Sequence, residues 1–353
     1  MKRILCIDGG GIRGIVPATI LVALEKKIQL LTNNASARLA DFFDFFAGTS
    51  TGGILISILL CPDENDATKS KFSAQEAVNL YQNFGNQIFS TNIWQKIKNF
   101  GGLDEELYSA EPLENILKNY FHDLTLSRLR KPCIITAYDI ERRGAFIFSQ
   151  EDANSKEGYD FYLKDVCRAT SAAPTYFELA TIKSLVGVTY NLIDGGVFAN
   201  NPALCAYTEN KEKINPETQK SYSTKDLFMV SLGTDVKRSD GYNPQKMKNW
   251  GALTWAKPLI DIMMAGINDT TDYHLYSLFK AATVPNQYHR LDANSVQRIR
   301  EVNESQMDDA SDKNIQSLIE FSIEMTQSLD ERLNFIAQCI VEPLNIKAKT
   351  ASV

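Results

Sequence analysis

Histidine is scarce in this chain, with three in 353 residues: His122, His274 and His289. An enzyme that moves protons with an imidazole must draw it from these three. None stands at a glycine corner after a strand. They sit in Tyr120-Phe121-His122-Asp123, Tyr273-His274-Leu275 and Tyr288-His289-Arg290, where surface exposure, packing or hydrogen bonding is the default reading. Cysteine is thinly spread as well. Cys6, Cys61, Cys133, Cys167, Cys205 and Cys339 lie far apart and form no C-x-x-C, so neither a disulfide framework nor a zinc site is indicated, and a reduced, cytosolic protein is expected. Long apolar runs are missing. The longest, Gly52 to Cys61, is about half a membrane span, and Ile4 to Ile7 is too short for a signal-peptide core. A bilayer crossing is thereby excluded from the expectation, and a peripheral visit to a membrane surface is not. Clusters of Lys and Arg are also wanting. With a net charge of −6 and a pI near 5.3, nucleic acid is not an expected partner. There is no internal repeat and no low-complexity tract.

What is present is an ordinary globular composition, 44% hydrophobic and 23% charged, long enough to bury a large core. The fully apolar run Ile4 to Ile7 announces a buried parallel strand, and the approach Asp41 to Ala47, Cys133 to Tyr138, Tyr190 to Ile193 and, last, the strongly apolar Leu227 to Leu232 read as further strands. Ala145 to Phe148 reads as a neighbour of the third across a turn at Glu141 to Gly144. Helical patterns run over Ile15–Leu31, Ile54–Leu60, Phe72–Phe89, Pro112–Phe121 (with proline in its first turn), Leu163–Ala172 and a helix opening at Asn200-Asn201-Pro202. Asn99–Asp104, Gln150–Gly158 and Val236–Lys248 read as polar loops, Trp250–Lys280 as helical, and Lys313–Val341 as one long closing helix. Strands alternating with helices predict an α/β layered fold with a mostly parallel central sheet. The mild boundary at Gly233–Asn249 resembles a loop inside one domain, 1–353. A motif-bearing core spans 3–235 and a helical C-terminal portion 250–345.

Three glycine corners carry the chemistry. Gly48-Thr49-Ser50-Thr51-Gly52 places a serine on a strand-turn-helix elbow, its hydroxyl lifted clear of the backbone at the positive end of a helix. Gly9, Gly11 and Gly14 fit G-x-G-x-x-G directly after a strand. A dinucleotide-binding oxidoreductase would then need an acidic residue ending a second strand about 20 residues on. That region is still helix, and Glu25 there is followed by lysines. The other use of such a loop is an anion site for an oxyanion, where one lost donor costs on the order of 3 kcal/mol, with Arg13 as a fixed positive charge beside it. Asp194-Gly195-Gly196 follows an apolar strand, where active groups of open α/β sheets collect. A partly desolvated Asp194 could serve as base, although an Asp-Gly turn is the plain alternative.

Taken in order, Asp8-Gly-Gly-Gly-Ile-Arg-Gly14, Gly48-Thr-Ser-Thr-Gly52 and Asp194-Gly-Gly196 resemble the signature of the patatin-like phospholipase family, with Arg168 to Pro174, Asn201-Pro202 and Ser231 to Thr234 adding to the likeness. The resemblance implies a Ser50–Asp194 dyad without histidine, and an oxyanion hole from Gly9, Gly10 and Gly11 with Arg13. It further implies hydrolysis of acyl esters of glycerophospholipids and lysophospholipids at a bilayer surface, with no metal or other cofactor. The chain is also similar in outline to bacterial patatin phospholipases switched on by cyclic dinucleotides, which makes such a nucleotide a candidate effector. A non-catalytic storage or scaffold protein of the same fold is a third reading. Oligomeric state is left open by the sequence.

Overall fold

A computed structural model describes residues 1–88, 108–236, 244–296, 299 and 307–350. The expected loop at Asn99–Asp104 lies outside the described residues, as does most of the loop expected after Val236. The strands are β1 (Lys2–Ile7), β2 (Phe45–Thr49), β3 (Cys133–Asp139), β4 (Gly144–Ser149), β5 (Ala180–Lys183), β6 (Thr189–Asp194), a small hairpin β7 (Ile214–Asn215) and β8 (Lys220–Ser221), β9 (Leu227–Leu232) and β10 (Tyr288–Leu291). The helices are α1 (Ile15–Thr32), α2 (Leu39–Phe42), α3 (Thr51–Leu60), α4 (Ala74–Ile88), α5 (Glu111–Phe121), α6 (Gln150–Ser155), α7 (Leu163–Thr170), α8 (Gly196–Ala199), α9 (Ala203–Lys211), α10 (Pro244–Met247), α11 (Ala252–Ala281), α12 (Asp312–Ser328) and α13 (Asp330–Thr350). The main sheet runs β10-β9-β1-β2-β3-β6-β5, with β4 also on β3. From β10 to β3 every pairing is parallel, and β4, β5 and β6 add antiparallel ones.

The continuous apolar strands follow from burial on both faces. Alternation along β1 and β2 sends Ile4, Cys6, Phe45 and Ala47 toward α9 and α11, and Leu5, Ile7 and Phe46 toward the larger core on the other face. There α3 is buried along its whole length, while α12 and α13 pack on α1. Local signals set the helix ends. Ser73 and Glu76 form a reciprocal cap at the start of α4, and α1 ends on left-handed Asn33, whose N–H reaches back to Gln29 and Leu30. Arg3 grips Asp44 through two oxygens, at 2.7 and 2.8 Å, and donates to the Ile340 carbonyl at 3.0 Å, tying β1 to the closing helix. Among the described residues no helix is long and apolar enough to cross a membrane, and all six cysteines are free.

Several expectations are corrected. The closing helix is two helices broken at Leu329, and Gln150–Ser155 is helical, capped by the Ser149 hydroxyl. Leu227–Leu232 is not the last strand, because β10 pairs beyond it. Since β10 joins the central sheet and α12 covers α1, we expect one cooperative unit: Phe321→Ala, which empties a fully buried site on α12, should shift a single thermal transition downward, costing about 3–5 kcal/mol. A separate C-terminal transition would contradict it.

Candidate active site

The register of β3 sets the site. Thr49, the last residue of β2, pairs with Thr136, and Asp194, the last of β6, pairs with the next residue, Ala137. Because β4 fills the other edge of β3, β2 and β6 end head to head along one edge. One strand is parallel to β3 and the other antiparallel, so residues leaving the two ends converge. Ser50 and Asp194 are those residues.

Ser50 sits at φ 54° and ψ −123°, a strained backbone that costs about 1–3 kcal/mol and persists only when its surroundings hold it. Its N–H donates to Thr170 Oγ1 at 2.8 Å, and that hydroxyl donates to the Thr136 carbonyl at 2.6 Å. Thr49 Oγ1 donates to the Ala199 carbonyl just past the aspartate corner, at 2.6 Å. The flanking glycines permit close approach: a Cβ on Gly52 would lie 2.1 Å from the Ile7 carbonyl oxygen, and one on Gly195 the same distance from Thr136 Oγ1. The elbow, β3 and the aspartate turn are thus locked together by hydroxyls and bare backbone.

Asp194 is fully buried. Its Oδ1 accepts the Gly196 N–H at 2.7 Å, and its Oδ2 has no hydrogen-bond partner. Burial pushes its pKa up to about 7, against the pull of the nearby Ser50 hydroxyl and the Gly196 N–H. The Ser50 hydroxyl is close enough to the carboxylate to lower its proton affinity. A carboxylate poised near neutrality is a far better base than one at about 3.9.

The first corner differs from expectation in two of its members. The Gly9 N–H donates to the Asn200 carbonyl at 3.0 Å, so Gly9 is a strut and not an oxyanion donor. Packing dictates this, since a Cβ there would stand 2.4 Å from Asn200 Oδ1 and 3.1 Å from Ser50 Cβ. Arg13 does not stand free beside the cleft: it is buried, with Nε on the Gly10 carbonyl at 3.4 Å and Nη2 3.7 Å from Asp261. Among the described residues no acceptor takes the N–H of Gly10 or Gly11. Gly11 has φ +58°, and a Cβ there would meet the Met307 carbonyl at 2.2 Å.

Gly11 and Ser50 border a cleft walled chiefly by apolar side chains such as Ile54, Leu80, Leu113, Phe177 and Met307. A family model described as "Patatin-like phospholipase" matches residues 5–207. The chain belongs to the patatin-like phospholipase family. It is 33% identical over 339 residues to "Patatin-like protein 2" of Oryza sativa subsp. indica, covering 90% of this chain and 82% of that one. To "Patatin group D-2" of Solanum tuberosum it is 30% identical over 372 residues, covering 100% and 93%. Among solved structures it is similar to VipD from Legionella pneumophila at 12% identity and a TM-score of 0.34, covering 93% and 67%, a likeness too low to argue from. Lipid acyl hydrolysis is the activity that patatin-like membership supports.

In this patatin-like chain the histidines stay away from Ser50. His122 caps α5 in an exposed, left-handed position, and His274 is exposed on α11. His289 is buried between Phe228 and Phe335, hydrogen-bonded to the Asn286 carbonyl, with its pKa lowered to about 4 by burial and by Arg332. The dinucleotide reading finds no support either, because β2 ends on the serine elbow and Glu25 is a partly buried acceptor for the N–H groups of Leu39 and Ala74. Sequence reasoning missed Arg290. From β10 it grips both oxygens of buried Asp8, at 2.6 and 2.9 Å, and holds Asp292 at 3.0 Å. Burial works against the charge on both partners, and Asp8 is what keeps the guanidinium charged. Its signal is weak in sequence, since Tyr288-His289-Arg290-Leu291 forms no apolar run.

The raised pKa of Asp194 has a consequence for stability. The folded protein holds this proton more tightly than the unfolded chain, so between about pH 4 and about 7 stability falls as pH rises. Asp194→Asn should therefore melt higher than the wild type at pH 8, with the difference vanishing toward pH 4. Melting curves of both proteins across that range check this, and a pH-independent difference would contradict it.

Proposed function

We propose that the protein hydrolyses acyl esters of glycerophospholipids and lysophospholipids through a Ser50–Asp194 dyad, with lipid reaching the cleft from a bilayer surface. One observation carries the reading: β2 and β6 end head to head on β3, with a strained serine at one end and a buried, near-neutral carboxylate at the other. Asp194 takes the proton of Ser50 Oγ as Oγ bonds to the acyl carbon. The oxyanion is met by the N–H groups of Gly10 and Gly11, each such donor being worth about 3 kcal/mol. The ester C–O bond then breaks, and the departing alkoxide oxygen takes the proton back from Asp194. For deacylation Asp194 accepts a proton from water, the resulting hydroxide adds to the acyl carbon, and Ser50 leaves with that proton as the fatty acid is released. The apolar cleft suits an acyl chain and keeps the carboxylate desolvated. A cyclic dinucleotide effector and a cytoplasmic location rest on resemblance and cysteine usage alone and add nothing to this chemistry.

Ser50→Ala and Asp194→Asn should each lower turnover of a short-chain nitrophenyl ester by at least about 10³-fold, the scale at which a nucleophile or base acts, with the fold intact by circular dichroism. A fluorophosphonate probe should label the wild type and not Ser50→Ala, and survival of activity in either variant would sink the dyad. Because the base must be ionised, kcat/KM should fall below an apparent pKa of about 7. Replacing each histidine in turn should leave turnover within about tenfold, since none sits where proton transfer occurs.

A further inference from the structure

Thr170, Ser171 and Ala172 run between the two ends of the proposed dyad. Thr170 holds the Ser50 N–H through its hydroxyl, and the Ala172 carbonyl accepts the Asp194 N–H at 3.0 Å. Between them Ser171 lines the same cleft as Ser50 and Gly11. The residue is 8% exposed, and its Oγ is buried with no hydrogen-bond partner. Elsewhere on the wall, the hydroxyls of Thr51 and Tyr81 bond to each other. Ser171 thus carries a hydroxyl with no partner among the described residues on the cleft that Ser50 borders, in an apolar setting where an unpaired one costs about 1–3 kcal/mol.

An idle buried hydroxyl at that place is explained if a bound molecule completes it. In the mechanism proposed above the carbonyl oxygen of an ester is met by the N–H groups of Gly10 and Gly11. Ser171 adjoins Ala172, whose carbonyl accepts the Asp194 N–H, and the leaving oxygen must lie near Asp194 to collect its proton. We infer that Ser171 is a substrate-contacting residue whose hydroxyl donates a hydrogen bond to the alkoxy oxygen of the bound ester, so that the site selects oxygen esters over thioesters. The inference rests on the serine hydrolase reading above and adds a specificity determinant to it. No bond to Ser171 is made or broken: its O–H proton stays in place while the Oγ of Ser50 bonds to the acyl carbon and the C–O bond breaks.

The test compares an oxygen ester and a thioester of the same acyl chain, hydrolysed by wild type, Ser171→Ala and Ser171→Cys. Sulfur is a weak acceptor, so only the oxygen ester should notice the lost donor. Ser171→Ala should lose about tenfold in kcat/KM on the oxygen ester and less than about twofold on the thioester. Ser171→Cys, with a weak S–H donor, should fall between wild type and Ser171→Ala on the oxygen ester, and fluorophosphonate labelling of Ser50 should persist in both variants. Equal loss on both substrates would overturn the inference. If that equal loss came with the acid limb of the pH profile moved upward, the hydroxyl would be serving Asp194 instead. No loss on either substrate would overturn it as well. These outcomes leave the hydrolase reading standing, whereas a wild type that cleaves neither ester would remove that reading and the inference with it.

Discussion

The glycine loop after β1 depends on one buried ion pair. Asp8 ends the loop's approach from β1, and Arg290 reaches it bidentately from β10 at the far edge of the sheet. Neither charge is tolerable alone at that depth, and leaving one without the other typically costs about 3–5 kcal/mol. Arg290 is also fixed by Ser231 and Asp292, so the pair joins the ends of β1, β9 and β10. With Met307 pressed against Gly11, the loop has no room to relax away from Ser50. The family model stops at residue 207, yet Arg290, Thr234 and Met307, which hold the loop in shape, all lie beyond it. The C-terminal portion is part of what makes the site rigid.

The rest of the site is built from backbone brought too close for side chains. Gly52 against Ile7, Gly195 against Thr136 and Gly9 against Asn200 each leave no space for a Cβ. The hydroxyls of Thr49 and Thr170 then satisfy backbone groups that such crowding leaves over, and that of Thr136 bonds to Thr49 Oγ1. Ser50's backbone strain and the idle Oδ2 of Asp194 run against the local rules of stability. Departures of that kind collect where function resides, and the surrounding locks make them bearable.

Legibility followed the same physics. Strands buried on both faces, such as Ile4–Ile7 and Leu227–Leu232, are visible because nearly every position is apolar, Ser231 being the exception. β10 is equally buried but escapes notice, since it carries two polar residues: His289 bonds to the Asn286 carbonyl three residues back, and Arg290 pairs with Asp8, far away in sequence. β5 alternates buried and exposed over only four residues, and α6 has no buried face at all, being set by its Ser149 cap. The three corners were legible because glycines have few other reasons to stand where they do. That the Gly9 N–H is taken, while among the described residues those of Gly10 and Gly11 meet no acceptor, turns on the Asn200 carbonyl, which no spacing in the sequence reveals.

In the proposed dyad an aspartate stands where a histidine is usual, which requires surroundings that raise its proton affinity, and burial pushes the Asp194 pKa up to about 7 with no negatively charged neighbour contributing. The same desolvation works against folding wherever the carboxylate is ionised, which is the pH range in which the base would act. Basicity and stability are therefore opposed at this one residue. A further donor on Oδ2 would relieve the fold and lower the carboxylate's proton affinity, so the two demands pull in opposite directions. Gly196 supplies one hydrogen bond to Oδ1, which orients the carboxylate, and Oδ2 has no partner among the described residues.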